Sequence, residues 1–368
     1  MTALPAPRLD PILDAPLVGP RVLSLVGDES GCSMWRVWQP VRFLRLHGYP
    51  CDWAFVRYPW LGDLNLRNYD ALVLCRMGWH RRDWPDSRRW LTGLKRDGWK
   101  IFFEADDDLF SPFMVDQQVA RPDKATARAE LEADREGATW LLRQCDGVTV
   151  STQYLASTVR RYTDAPVEVV PNAIDAGWFA GVQAEVVRAD RRVCIGWAGG
   201  GRPDGDLEAM AEAWGRIARR YPEVTFACFG YHPEVIRRHV PAERLRLVPW
   251  LYPDHYPMGL VGVDIGCCPL EDRPFNRSKS SIKAYEFALS GAAVVASPTV
   301  YGKVLHEGET GFLVTSAGEW EDALAFLLDF PPVRRLVADK LRRQVLERHS
   351  LKKHYWRWPA VWNRLWRR

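Results

Sequence analysis

Hydrophobic residues in this chain fall in short unbroken runs closed by turn residues, with amphipathic stretches between them. In the first half the runs are RVLSLVG (21–27), ALVLCRM (71–77), KIFFEAD (100–106), GVTVST (147–152) and VEVVPN (167–172). Their apolar residues are consecutive rather than alternating, which predicts strands covered on both faces, as in a parallel sheet. WRVWQPVRFLRLHG (35–48) and QYLASTVRRYT (153–163) carry helical spacing between them. The pattern then restarts with VCIGWAGG, VTFACFG, RLRLVPW, VDIGCCPL, AAVVASP and GFLVTS, with helical segments such as DLEAMAEAWGRIARRYP and SSIKAYEFALSG between several of them.

Two successive sets of strand–helix alternation predict two doubly wound α/β domains. Polar QAEVVRADRR (183–192) separates the sets. The expected division is 1–185, 186–349 and a C-terminal helix over 350–368. Two such domains facing each other leave a cleft at the carboxyl ends of both sheets, where this architecture binds ligands.

Composition adds little to this picture. The 368 residues are 47% hydrophobic and 26% charged, with a net charge of +4, as expected of a globular chain with material for two cores. Eight scattered cysteines without a CxxC pair argue against a disulfide framework or zinc site and for a reducing, cytoplasmic setting. The N-terminal stretch lacks the pattern of a signal peptide, and no run reaches the ~20 apolar residues of a membrane span.

Four constellations fall at strand ends. VGDESGCSMWR places Gly31 and Arg36 in the turn after the first strand, where glycines admit a phosphate or sugar and a helix start favours anions. EADDDLF puts Asp106, Asp107 and Asp108 at a strand end, as contacts to sugar hydroxyls or caps of the next helix. WAGGGRPDGDL offers Gly200, Gly201 and Arg202, the last suited to bidentate contact with phosphate. In RPFNRSKSSIKAYEFALSG, Lys279, Lys283 and Glu286 are spaced to share one helical face, Ser278 or Ser280 can cap the start, and Gly291 can end the helix. Two lysines near a helix N-terminus oppose its dipole, and a bound phosphate would reverse that penalty. A plain Lys283–Glu286 surface ion pair is the bland alternative.

These stretches resemble retaining GT-B glycosyltransferases that use nucleotide-sugar donors. The likeness rests on CDGVTVSTQYLASTVRRY, APVEVVPNAIDAGWF and, most specifically, FNRSKSSIKAYEFALSGAAVVASPTVYGKVLHEGETGFLV. GCSMWRVWQPVRFLRLHGY and FFEADDDLF resemble a bacterial and phage-associated branch. The resemblance implies that Glu286 holds the donor ribose, that Arg202 and Lys283 neutralise the diphosphate, and that no metal is needed. Asp106, Asp107, Asp108, Arg202 and Lys283 are then the expected catalytic group. Gly31, Arg36, Gly200, Gly201, Arg202, Ser278, Lys279, Lys283 and Glu286 are the expected donor-binding set. The family carries a second Glu eight positions before Glu286, where this chain has Ser278.

The implied co-substrate is a UDP- or GDP-linked sugar, with no other cofactor, and the acceptor is a polysaccharide, a lipid-linked glycan or a modified DNA base. The alternatives are a catalytically degenerate GT-B protein that binds glycan or DNA, a sugar-nucleotide epimerase, and a manganese-dependent GT-A enzyme using the acidic triplet. The tail SLKKHYWRWPAVWNRLWRR has six Lys or Arg and no acid in its last eighteen residues, with apolar positions at heptad-like spacing. That amphipathic helix suits packing onto the first domain, peripheral contact with an anionic membrane, or DNA.

Overall fold

The computed structural model describes residues 19–27, 31–55, 66–76, 84–122, 126–180, 192–201, 203–252 and 255–368. Strands β1 (Val22–Val26), β2 (Cys51–Phe55), β3 (Ala71–Cys75), β4 (Lys100–Ala105), β5 (Gly147–Val150) and β6 (Val167–Val169) form one sheet. The second sheet contains β7 (Cys194–Gly199), β8 (Thr225–Gly230), β9 (Leu245–Val248), β10 (Ile265–Cys268), β11 (Ala293–Ala296) and β12 (Phe312–Leu313). Every pairing is parallel. This is the GT-B architecture, two Rossmann-like sheets with helices.

The apolar runs locate ten strands within a residue or two, as well as the short β12. They miss β2, whose sequence CDWAF is half-buried at the edge of the sheet. An edge strand does not need apolar residues at every position, so it lacks the signature of the central strands. The strand orders are β2-β1-β3-β4-β5-β6 and β12-β11-β10-β7-β8-β9. Each order reverses direction next to a first strand, β1 in one sheet and β7 in the other, which opens a crevice at their carboxyl ends. The expected boundary at 185/186 lies outside the described residues.

Apolar packing and a returning chain help to join the lobes. Met34, Trp35, Ile174 and Phe179 of the first lobe pack in one apolar cluster with Tyr285, Ala288, Val300 and Leu305 of the second. The chain also returns: Ile174 N–H donates to the His349 carbonyl (2.9 Å), and Leu351 N–H donates to the Ile174 carbonyl (2.8 Å). Beyond this crossing, Leu351, Tyr355, Trp358, Val361, Trp362 and Leu365 are buried against Val22, Val41, Tyr49 and Cys51 of the first lobe. The apolar side of the tail is therefore core.

Because Trp362 is 1% exposed within that cluster, truncating it leaves a cavity that neighbouring side chains fill only in part. Trp362→Ala should lower unfolding free energy by about 3–5 kcal/mol. Urea denaturation followed by circular dichroism checks this. An unchanged midpoint would mean that the tail does not hold the first lobe together.

Candidate functional site

The helix Ile282–Ser290 follows β10 and precedes β11, so its N-terminus sits at the carboxyl edge of the second sheet. Tyr285, Phe287, Ala288 and Leu289 bury its sheet-facing side, and Gly291 ends it in the left-handed conformation (φ 87°). The helix begins after both predicted caps, Ser278 and Ser280. Ser281 occupies the N-cap, but its hydroxyl donates to the Val300 carbonyl (2.9 Å) instead of capping. Lys279 therefore precedes the helix and does not share a face with Lys283 and Glu286.

Lys283 and Glu286 meet on the first turns of the helix. Lys283 Nζ donates to Glu286 Oε2 (2.8 Å) and to the Tyr256 hydroxyl (3.0 Å), and Tyr256 donates to the same Oε2 (2.6 Å). Lys283 remains 27% exposed while Glu286 is 1% exposed, so this is not a solvated surface pair. Burial, followed by the neighbouring Glu286 carboxylate, raises the Tyr256 hydroxyl well above its ordinary pKa, which keeps it a donor. Glu286 Oε1 is buried and has no hydrogen-bond partner among the described residues. A buried carboxylate oxygen without a donor is costly unless a ligand supplies one.

This trio lines a pocket between the lobes. Gly31, Met34 and Trp35 form its first-lobe wall, while Gly199, Gly200, Gly230, Trp250 and Tyr256 belong to the second-lobe wall. A Cβ added at Gly200 would meet nothing within 4 Å, and at Gly31 it would meet only the Trp35 indole nitrogen, at 3.7 Å. These glycines are thus not required by protein packing, and they leave bare backbone facing the pocket. Gly230 is different, because its φ is 91° and a Cβ would lie 2.7 Å from the Gly199 carbonyl oxygen. Met34 and Trp35 lie in a π-helical turn, Met34–Trp38, an irregularity that often marks functional sites. Trp35 meets Trp178 edge-on (5.4 Å) and Trp178 stacks on Tyr256 (6.0 Å), so aromatic contacts run from one wall to the other.

Beside Gly31 lies a polar cluster built from both lobes. Asp107 Oδ1 accepts from Lys279 Nζ (3.2 Å), and its Oδ2 accepts from Arg76 Nη1 (3.4 Å). Arg76 Nη1 also lies 3.2 Å from Cys32 Sγ and 3.9 Å from Asp106 Oδ1. Among the described residues Arg76 is the sole non-glycine with positive φ (46°), a conformation that costs about 1 kcal/mol or more and collects at functional sites. Burial, then the adjacent Asp107 charge, pushes the Asp106 carboxyl up to about 6. Burial also acts on Asp107, yet Lys279 and Arg76 hold its carboxyl below the usual range. Cys32, Asp106 and Asp107 bring three possible ligand atoms within 4.8 Å of one another, and the two cations already balance the two carboxylates.

Several expected site residues have structural duties instead. Arg36 is 1% exposed and faces inward. Its guanidinium pairs with Glu104 (2.7 Å) and donates to the Val170 carbonyl (2.6 Å) and Asn172 Oδ1 (2.7 Å), so it is unavailable to a ligand. Asp108 is buried and accepts from Phe110 and Ser111 N–H (3.1 and 3.0 Å) and from the Ser111 hydroxyl, fixing the turn into the Pro112–Val119 helix. Ser278 is fully buried, and its carbonyl accepts from Thr152 Oγ1 (2.9 Å) across the lobes. Gly201 borders the turn after β7 but is not part of the pocket wall. Arg202 lies outside the described residues. Sequence reading missed Arg76, Tyr256 and Trp250. The first had a usable signal, a cation directly following a central strand.

Comparison with known proteins places this geometry. Residues 192–329, most of the second lobe, match the family Glycosyl transferases group 1. A Bacillus subtilis (strain 168) protein, TuaH, named as a teichuronic acid biosynthesis glycosyltransferase, is 26% identical over 170 residues. That match covers 43% of this chain and 41% of the relative. Among solved structures, sucrose-phosphate synthase from Thermosynechococcus elongatus superposes with a TM-score of 0.64 at 13% identity, covering 94% of this chain and 99% of that one. Anabaena HepE, solved in complex with UDP-glucose, gives 0.63 at 13% identity over 93% and 98%. Both show the same GT-B fold.

Removing Arg36 should damage folding rather than ligand binding. Arg36→Met strands the buried Glu104 carboxylate and should cost about 3–5 kcal/mol of stability, whereas the double variant with Glu104→Leu should recover much of it. Chemical denaturation of the three proteins checks this, and a wild-type midpoint for Arg36→Met would contradict the structural assignment.

Proposed function

We propose that this protein is a glycosyltransferase that moves a sugar from a nucleotide-diphosphate donor to a glycan-type acceptor, with retention of anomeric configuration. The observation that carries the reading is the unpartnered, buried Glu286 Oε1 beside Lys283 in a glycine-walled pocket between two lobes. A ribose hydroxyl supplies the donor that this oxygen lacks. The diphosphate lies over Lys283, the Ile282–Ser290 helix start and the backbone at Gly199–Gly200, where amide groups and the helix dipole favour negative charge. Trp250, 54% exposed at the pocket, offers a face for the nucleobase.

Breaking the glycosidic bond places negative charge on the leaving diphosphate and oxocarbenium character on the sugar. Lys283 and the helix-end amides are fixed before the reaction and aimed at that charge, which is how preorganised donors lower a barrier. Arg202, whose position is outside the described residues, is the second cation in this reading. Metal-independent transfer fits the cation balance around Asp106 and Asp107, since Arg76 and Lys279 already neutralise both carboxylates. Asp106 takes the part of proton acceptor for the incoming hydroxyl: it is the acid of the pair pushed toward neutral pH, while Asp107 stays charged and holds the two cations. The apposed walls exclude water that would otherwise hydrolyse the donor.

The name of TuaH supports a glycan of the teichuronic acid type as acceptor class, and HepE, solved with UDP-glucose, supports a UDP-linked donor. DNA-base acceptors have no comparable support. Binding of UDP and UDP-glucose, measured by calorimetry, should weaken by roughly tenfold or more in Glu286→Gln and in Lys283→Ala, the loss expected for a charge-assisted hydrogen bond. Unchanged affinity in both variants would remove the donor assignment. Glu286→Gln should fold normally, whereas Lys283→Ala leaves a buried carboxylate with Tyr256 alone and should cost some stability as well.

The acid limb of turnover supplies a second test. Asp106 must be ionised to accept a proton, so UDP-glucose turnover should fall as pH drops through about 6. Arg76 lowers the Asp106 pKa, and Arg76→Met should therefore move that limb to higher pH. A pH–rate profile that is flat from 5 to 8, or one unmoved by Arg76→Met, would remove Asp106 from the chemistry. Turnover without any acceptor, giving a second nucleotide sugar, would instead identify an epimerase.

A further inference from the structure

The basic tail is only half explained by its buried side. Lys352, Lys353, Arg364, Arg367 and Arg368 face outward, and Trp356 is 46% exposed. Trp356 is held in that position, because its indole nitrogen donates to the Lys353 carbonyl (3.0 Å) and Arg357 sits over its ring at 5.7 Å. The neighbouring helix Gln39–Leu46 extends the same region. Tyr355, next to Trp356 in the chain, contacts His47 (4.4 Å) and Phe43 (5.2 Å), and the outward residues of that helix include Arg42, Arg45 and Leu46, the last 43% exposed.

Charge on this face is strongly one-sided. Arg45 pairs with Asp52, and Arg364 with Glu168 at 3.0 Å. Lys352, Lys353, Arg357, Arg367 and Arg368 lie in a segment that contains no acid. Exposed Trp and Leu among cations are the composition of a surface that enters the headgroup layer of an anionic bilayer. A nucleic acid would use the cations but would leave Leu46 in water, so the aliphatic component favours lipid.

We infer that the outer face of the C-terminal tail and the adjoining Gln39–Leu46 helix docks the first lobe on an anionic lipid bilayer. Cations bring the surface to the membrane, and Trp356 and Leu46 enter the interface. The tail's own apolar stripe stays in the core, so docking requires no unfolding. This docking stands independently of the transferase reading. No described helix is long and apolar enough to cross a membrane, and contact through this face would be peripheral and reversible.

Sedimentation of the full chain with sucrose-loaded vesicles tests the proposal. Equimolar phosphatidylcholine and phosphatidylglycerol vesicles should bind the protein, pure phosphatidylcholine should not, and added salt should release it. Lys352→Glu with Lys353→Glu should reduce binding roughly tenfold or more, and Trp356→Ser or Leu46→Ser should each weaken it several-fold, with wild-type thermal midpoints for these exposed positions. Failure of the wild-type chain to bind anionic vesicles would overturn the proposal. So would binding that is unaffected in all three variants, or tight binding to a DNA duplex or single strand that the charge reversals abolish while vesicle binding persists.

Discussion

A guanidinium and a carboxylate buried together, Arg36 and Glu104, hold the first lobe in the form that the cleft requires. Arg36 comes from the helical turn after β1, Glu104 from β4, and Thr149 of β5 donates to the other Glu104 oxygen (2.5 Å). The same guanidinium reaches Val170 and Asn172 just past β6, and Asn172 in turn donates to Ser280 Oγ of the second lobe (2.8 Å). One desolvated charge pair therefore fixes a turn, two strands and the start of the interlobe contact. Such a pair adds little net stability over apolar packing, but it tolerates few alternative geometries. Arg36 also directly follows Trp35, which lines the pocket.

The two lobes contribute unlike chemistry to the space between them. The second lobe presents bare glycine backbone, a lysine and a carboxylate with a spare oxygen, a set suited to a phosphorylated ribose. The first lobe presents two carboxylates whose acidities are pushed apart, Asp106 upward by burial and the adjacent Asp107 charge, Asp107 downward by Lys279 and Arg76 despite its burial. Lys279 belongs to the second lobe yet is spent on Asp107 of the first. The electrostatic state of the acid pair is thus set by how closely the lobes approach.

Sequence periodicity made most of this legible, and the failures have identifiable causes. Central strands announce themselves because both faces are covered, whereas β2 at the sheet edge does not. The Lys283–Glu286 spacing was readable, since helix geometry places i and i+3 together. Lys279 was placed on the helix only because local propensity cannot tell whether Ser281 caps the helix or bonds to Val300, a choice made by tertiary packing. Arg36 reads as a donor-binding cation from sequence because its partner is 68 residues away and the π-turn that carries it is invisible there. Asp106, Asp107 and Asp108 look equivalent in a row, yet one secures a turn, one binds cations and one is left with an oxygen lacking a hydrogen bond among the described residues.

The return of the chain at Ile174 has a consequence for biosynthesis. Val22, Tyr49 and Cys51 emerge early from the ribosome, but the side chains that cover them are at Leu351 to Leu365. At ordinary translation speeds that apolar surface waits on the order of tens of seconds for its cover, while the intervening lobe can complete its own sheet. Newly made chains should thus be most prone to chaperone capture or clumping in that interval, and a premature stop near the end would injure the part made first.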